Sequence, residues 1–206
     1  MARRPWRPRT LGVLVLVLSL GALVAGAAKA QAQVIQLDGV KTQLTTDPAT
    51  TKVLLKNRIL PLPVGKTGFR PVLLKGGLAA RYMFPITGGR LDAATLFGTI
   101  DHAGGIRFLS LRNGKSLRLT KFRIEIGAAP GLTAEVNGNP AVRVRILDLD
   151  LSQARVDRTR LPYVSVKNVG ATLTKAAADA LNATLRVSFF QEGIKLGKAD
   201  VLARIG

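Results

Sequence analysis

Residues 142–151 decide the fold, and their sequence is V-R-V-R-I-L-D-L-D-L. Apolar side chains occupy every second position up to Ile146, and arginines stand between them. From Leu147 onward the apolar positions shift by one residue, and aspartates stand between them. Such alternation is typical of a half-buried strand, and a one-residue phase change indicates a bulge or sharp bend. We therefore predict a strand that leaves one sheet and joins another, in a β-sandwich or a strongly coiled barrel.

The flanking sequence favours antiparallel strands. Asn-Gly dipeptides at 113–114 and 137–138 each stand between two alternating segments, which is the strongest short-range signal for a β-hairpin. Alternation or short apolar runs predict further strands at residues 34–37, 121–126, 163–169, 189–190 and 199–205.

Two segments have helical signals instead. Residues 45–57 contain Asp47 as a capping residue and Pro48 in the first turn, followed by an apolar side. Residues 174–185 begin with Thr174 as the cap and carry apolar residues at roughly helical spacing. The predicted fold class is therefore mainly β, an antiparallel β-sandwich with two short α-helices.

The first thirty residues resemble a secretory signal peptide, which would precede that domain. Residues 1–10 carry four arginines and no acid, residues 11–26 are almost entirely apolar, and residues 28–30 read A-K-A. We predict cleavage after Ala30, with Ala32 as the alternative position. We also predict a single domain over residues 31–206 and a secreted or cell-envelope location. An uncleaved membrane anchor is the alternative, although the apolar run is short against the roughly 20 residues of a spanning helix.

The composition excludes several classes of site. With no cysteine the chain has no disulfide, thiol nucleophile or Cys-based zinc site, and its single histidine excludes a multi-His metal cage within one chain. The net charge is +19, and removing the five basic residues of the leader leaves 26 basic against 12 acidic residues, or +14. For an exported domain this charge suits anionic cell-wall polymers or a membrane surface. Aromatic residues are 5% of the chain, which argues against a nucleic-acid stacking platform.

Catalytic motifs are not evident. The sequence has no nucleophile elbow and no zinc-protease motif, and Gly104-Gly105 is not followed by the G-K-[ST] of a phosphate loop. Asp148 and Asp150 share one strand face and would suit Ca²⁺ or acid–base chemistry. Pairing across the sheet with Arg or Lys is the interpretation we favour. We predict no enzymatic activity and no metal site.

Five segments together resemble a known family. They are F-P-I-T-G-G-R-L-D at 84–92, G-T-I-D-H-A-G-G-I at 98–106, L-T-A-E-V at 132–136, L-D-L-S at 149–152, and residues 171–182. Over residues 84–202 the chain is similar to the HtaA-domain family of secreted and cell-wall haem-binding proteins. The resemblance implies an antiparallel β-sandwich and haem capture without turnover. It also implies that His102, which lies beside glycines, supports a tyrosine ligand to the haem iron.

The candidate haem-binding residues are His102 and Tyr82. Asp101 precedes His102 and can orient its ring or raise its pKa, and the nearby glycines can admit a flat ligand. A tyrosine phenolate is an accepted haem ligand, and Arg81 stands beside Tyr82. The alternatives are that His102 is a surface histidine without a function and that Tyr82 is an aromatic residue packed within a strand.

The predicted function is a secreted, non-enzymatic ligand-binding module, with haem as the ligand. The alternative is a basic, envelope-associated β-sandwich that serves adhesion or structural interaction without haem.

Overall fold

A computed structural model describes residues 33–206, and the predicted signal peptide lies outside these residues. The twelve strands in this part are β1 (Val34–Thr46), β2 (Ile59–Val64), β3 (Gly68–Leu74), β4 (Gly77–Asp92), β5 (Gly98–His102), β6 (Gly105–Ser110), β7 (Ser116–Ile126), β8 (Gly131–Val136), β9 (Asn139–Asp150), β10 (Arg155–Arg160), β11 (Tyr163–Leu173) and β12 (Lys195–Ile205). The two helices are α1 (Pro48–Lys56) and α2 (Lys175–Leu185). Within residues 33–206, neither helix is long and apolar enough to cross a membrane.

Eight of the strands close into an antiparallel barrel. Around the wall the order is β7-β5-β4-β1-β12-β11-β9-β8, and β8 pairs with β7 again. The mainly β, antiparallel prediction with two helices is confirmed, whereas the two-sheet sandwich is not.

Three long strands pair with a different neighbour in each half, and this accounts for the closed barrel. The first half of β4 pairs with β3 and its second half with β5, and β7 and β11 change partners in the same way. Each long strand thus has one half in the barrel and one half paired with a strand outside it, namely β3, β6 or β10. No strand ends one sheet and starts another. Because no break separates two sheets, β7 and β8 can meet and complete the ring.

The predicted phase change lies at Ile146. In the β8–β9 pairing Leu132 opposes Leu147 while Thr133 opposes Arg145, so Ile146 is the extra residue of a bulge. Both Ile146 and Leu147 are buried as a result. The Thr174 amide donates to the Ile146 carbonyl (3.1 Å), so the cap of α2 satisfies the bulged backbone. Beyond the bulge, β9 stays paired with β8 on one edge and pairs with β11 on the other. The predicted bulge is therefore confirmed, whereas the predicted move into a second sheet is not.

The turn and cap signals were also accurate. Val136 pairs directly with Asn139 across Asn137 and Gly138, both of which have positive φ, as a two-residue hairpin requires. The Asp47 carboxylate accepts from the Ala49 amide (2.8 Å) to cap α1, and the Thr174 hydroxyl caps α2.

Two segment predictions were wrong. Strand β1 extends to Thr46, where we predicted helix, because it pairs along its length with β4 and β12. Phe189 and Phe190 are not in a strand. The Asn182 side chain donates to the Phe190 carbonyl (2.8 Å) and accepts from the Phe190 amide (3.1 Å), so it takes the place of a partner strand.

The barrel interior is apolar and closely packed. Aliphatic and aromatic side chains from the wall meet α1 and α2 in one cluster that includes Leu54, Phe84, Phe122 and Leu181. Two interior cavities remain, of about 70 and 80 Å³. Ligand pockets for drug-sized molecules span roughly 300–1,000 Å³, so each cavity is several times smaller than an ordinary binding pocket.

Candidate functional site

His102 lies at the end of β5 and points into the barrel, with 4% of its surface exposed. Its Nδ1 donates to the Phe122 carbonyl (3.2 Å), and its Nε2 lies 2.7 Å from the Thr42 hydroxyl oxygen. Because a carbonyl only accepts, the ring proton sits on Nδ1, and the Thr42 hydroxyl donates to Nε2. Both ring nitrogens are therefore occupied by protein partners.

Burial lowers the pKa of His102 to about 4. The hydrogen bond to Phe122 and the charge of Asp101 oppose this effect but are smaller. The Asp101 carboxylate accepts from Arg123 Nε at 2.6 Å, so its main partner is an arginine and not the imidazole. His102 is consequently neutral at physiological pH: Asp101 raises its pKa as expected, but burial lowers that pKa by more.

The glycines near His102 are packed against protein. The Gly105 amide donates to the Thr67 hydroxyl oxygen (2.7 Å), and that hydroxyl donates to the Gly105 carbonyl (3.0 Å). A Cβ on Gly105 would collide with the Leu119 carbonyl oxygen of the neighbouring strand. These glycines allow a close backbone crossing, and they leave no space for the flat ligand that the sequence suggested.

Tyr82 is also inside the barrel, with 1% of its surface exposed. Its hydroxyl donates to the Pro61 carbonyl (2.6 Å), and its ring lies between Phe69 and Phe84 at centroid distances of 5.3 and 6.3 Å. Burial raises the pKa of the Tyr82 phenol well above its usual range. The environment therefore favours the neutral phenol, which is a poor ligand for iron.

The structure does not place Tyr82 and His102 in one pocket. His102 lines the cavity of about 80 Å³ together with Thr42, Phe84 and Phe122, and Tyr82 is not among its lining residues. The interior in this form has no room for a haem between them.

A more open groove runs over the outer wall, across β1, β12, β11 and β10. Its volume is about 380 Å³, and Tyr163 lines it with 43% of its surface exposed. Lys41, Lys167 and Arg160 supply positive charge to the groove, and Asp157 and Asp200 supply negative charge. We call these six residues the outer groove. Its size falls within the range of small-molecule sites.

The acidic residues of the outer groove are engaged with other groups. Hydrogen bonds from Thr159 lower the pKa of Asp157 most, and the charges of Arg160 and Lys167 lower it further. The Asp200 carboxylate accepts from the Asn168 amide (2.9 Å). The three cations form no ion pair with a carboxylate within residues 33–206. They outnumber the two carboxylates of the groove, so the groove keeps an excess of positive charge for an anionic ligand.

Asp148 and Asp150 do not form a shared site. Asp148 pairs with Arg145 (2.8 Å), so the basic partner is on the same strand and not across the sheet as predicted. Asp150 accepts from the Ser152 amide (2.8 Å). In the part of the chain that the structure describes, no group of three or more His, Cys, Asp or Glu side chains could hold a metal ion.

Sequence reasoning missed Thr42, Thr67 and the outer groove. Thr42 lies 60 residues from His102, and Thr67 lies 38 residues from Gly105. Nothing in the local sequence marks either threonine as a partner. Tyr163 was visible only as one of two tyrosines, and its outward direction depends on strand register.

Comparison with known proteins finds related folds but no close sequence relative. No protein-family model matches the chain, and no curated protein matches it. The C-terminal domain of HtaA from Corynebacterium glutamicum is 15% identical, with a TM-score of 0.57 over 84% of this chain and 99% of that domain.

Two further structures from the same organism are similar to a lesser degree. A domain-swapped dimer variant of the same HtaA domain is 16% identical, with a TM-score of 0.48 over 77% of this chain and 92% of that chain. The haem-binding protein HtaB is 11% identical, with a TM-score of 0.47 over 84% and 96%. The chain thus shares the fold of the HtaA C-terminal domain, and the resemblance inferred from residues 84–202 is confirmed at the level of fold.

Proposed function

We propose that this chain is an exported, non-enzymatic module that binds haem in the outer groove. The sequence resemblance to HtaA domains and the shared fold support haem as the ligand class. The observation that carries the location is the exposed Tyr163, which lies among three unpaired cations in a groove of about 380 Å³.

The outer groove has the groups that a haem needs. A tyrosine phenolate can ligate ferric haem, and Tyr163 is the accessible one of the two tyrosines in the chain. Haem propionates are carboxylates, and Lys41, Lys167 and Arg160 can form charge-assisted hydrogen bonds with them. The porphyrin edge would pack on the strand surface that Leu202 contributes.

His102 and Tyr82, the residues chosen from the sequence, define the competing location. Both are buried and hydrogen-bonded, so haem ligation by either requires the barrel wall to open and the Thr42 and Pro61 contacts to break. The outer groove needs neither change, which is why we prefer it.

Hemin titration of four matched proteins tests this proposal. We expect a Soret band with the unaltered chain, with Tyr82→Phe and with His102→Ala, and a loss of at least about tenfold in affinity with Tyr163→Phe. A loss confined to Tyr82→Phe and His102→Ala would place haem in the interior instead. No Soret shift with any of the four would reject haem as the ligand.

Export is the second part of the proposal. We expect the protein released from the producing cell to begin at Gln31, after removal of residues 1–30. N-terminal sequencing or intact mass of the extracellular or envelope fraction measures this directly. A cytosolic full-length chain would contradict it.

A further inference from the structure

A long segment of this chain has no acidic residue. Residues 48–91 contain no Asp or Glu, although they contain eight basic residues. These are Lys52, Lys56, Arg58, Lys66, Arg70, Lys75, Arg81 and Arg90. Within residues 33–206 none of the eight forms an ion pair. The segment folds into α1, β2, β3 and β4, so its positive charge is concentrated on neighbouring elements.

The same segment exposes large apolar side chains at one hairpin. Strands β3 and β4 pair from Gly68 to Leu74, and Leu73 faces Leu78 across the turn. Leu73 is 82% exposed, more than any other large apolar residue of the described chain, and Phe69 and Leu78 are also exposed. In this register Phe69, Leu73 and Leu78 lie on one face, and we call these three residues the leucine hairpin.

Helix α1 begins beside the turn of this hairpin. A Cβ on Gly76, in the hairpin turn, would contact Pro48 at the start of α1. Helix α1 also exposes Leu55 together with Lys52 and Lys56. Leu74 belongs to the opposite face, where it lines a separate groove with Asp47 and Asp150, so acidic residues are found behind the leucine hairpin.

We propose that the leucine hairpin docks this protein on an anionic lipid bilayer. Exposed leucines gain free energy when they enter the acyl boundary, and lysines around them are attracted to anionic headgroups. A segment with eight basic residues and no acidic residue suits a surface that is uniformly negative. This surface does not include the outer groove, and it requires no haem.

Vesicle co-sedimentation tests the proposal. The probe is large unilamellar vesicles of phosphatidylglycerol and phosphatidylcholine, with phosphatidylcholine vesicles as the neutral comparison. We expect binding to the anionic vesicles only, a loss of about tenfold on Leu73→Ser, and a larger loss at high salt. A triple variant with Lys52→Gln, Lys56→Gln and Lys75→Gln should lose at least about tenfold.

Matched controls come from the other end of the molecule. Leu161 is 69% exposed in the turn after β10, and Arg155, Arg158 and Arg160 flank it. Leu161→Ser removes a comparable exposed leucine, and the double change Arg155→Gln with Arg158→Gln removes charge beside it without touching the outer groove. We expect less than about a twofold loss from either.

Three outcomes would overturn the proposal. One is equal loss from the two sets of variants, which would show nonspecific charge attraction. Another is tighter binding to soluble polyphosphate than to anionic vesicles, with no effect of Leu73→Ser, which would indicate an anionic polymer as the partner. The third is a concentration-dependent dimer that Leu73→Ser dissociates, measured by sedimentation velocity without lipid, which would indicate that a second copy covers the hairpin.

Discussion

Tyr82 and Tyr163 are the two tyrosines of this chain, and they occupy opposite sides of the same barrel wall. Tyr82 lies between two phenylalanine rings and donates to the Pro61 carbonyl, whereas Tyr163 lines an open groove among Lys and Arg side chains. Tyr82 stabilises the fold and its hydroxyl is already hydrogen-bonded, whereas Tyr163 is accessible to a ligand. A tyrosine in the sequence therefore indicates a haem ligand only when the structure shows whether its side chain points into or out of the barrel.

The largest expected difference between the two sides is in stability. Tyr82→Ala should lower the free energy of unfolding by about 3–5 kcal/mol, because it leaves a cavity and an unpaired Pro61 carbonyl. Tyr163→Ala should change it by less than about 1 kcal/mol, since the side chain is partly solvated. Urea unfolding followed by circular dichroism measures both. Equal losses would show that the outer groove is as structural as the interior.

The next largest effect is a pH dependence from the interior histidine. The folded pKa of His102 is about 4 and its ordinary value is 6.5, so the unfolded chain binds a proton more readily. The contribution of His102 to the free energy of unfolding is fully present above pH 6.5, where the ring is neutral in both states. It falls as the pH drops toward 4 and is lost below that. The difference amounts to roughly 3 kcal/mol.

Unfolding of the unaltered chain and of His102→Gln at pH 7 and at pH 4 isolates this contribution. The variant should show a pH dependence smaller by roughly that amount, because only the carboxylates then titrate. Identical pH dependence in the two proteins would mean that solvent reaches the ring in the folded barrel.

The smallest predicted effect compares buried hydroxyl groups. Ser110 is fully buried and its hydroxyl has no hydrogen-bond partner within the described chain, whereas the Thr67 hydroxyl has two. Ser110→Ala should be neutral or stabilising by up to about 1 kcal/mol, and Thr67→Ala should cost about 1–3 kcal/mol. Thermal unfolding distinguishes them, and a clear loss on Ser110→Ala would point to a partner for that hydroxyl.

Much of the fold could be predicted because its signals are local. The phase change at Ile146, the turn at Asn137-Gly138 and the caps Asp47 and Thr174 each depend on a few neighbouring residues. The sequence admitted both a sandwich and a strongly coiled barrel, and it could not decide between them because closure depends on long strands that change partner midway. The environment of His102 could not be predicted either, since the Thr42 hydroxyl comes from a distant strand and burial outweighs the adjacent Asp101.

The position of β1 in the wall has a consequence for the order of folding. Strand β1 pairs with β12, and the Gly206 amide donates to the Gln36 carbonyl (3.0 Å), so the first and last described strands lie side by side. Until β12 arrives, β1 and β11 each present an unpaired edge, and such edges readily pair with other chains. Closure is therefore a late, long-range step, and refolding at high protein concentration should compete with aggregation through these two edges.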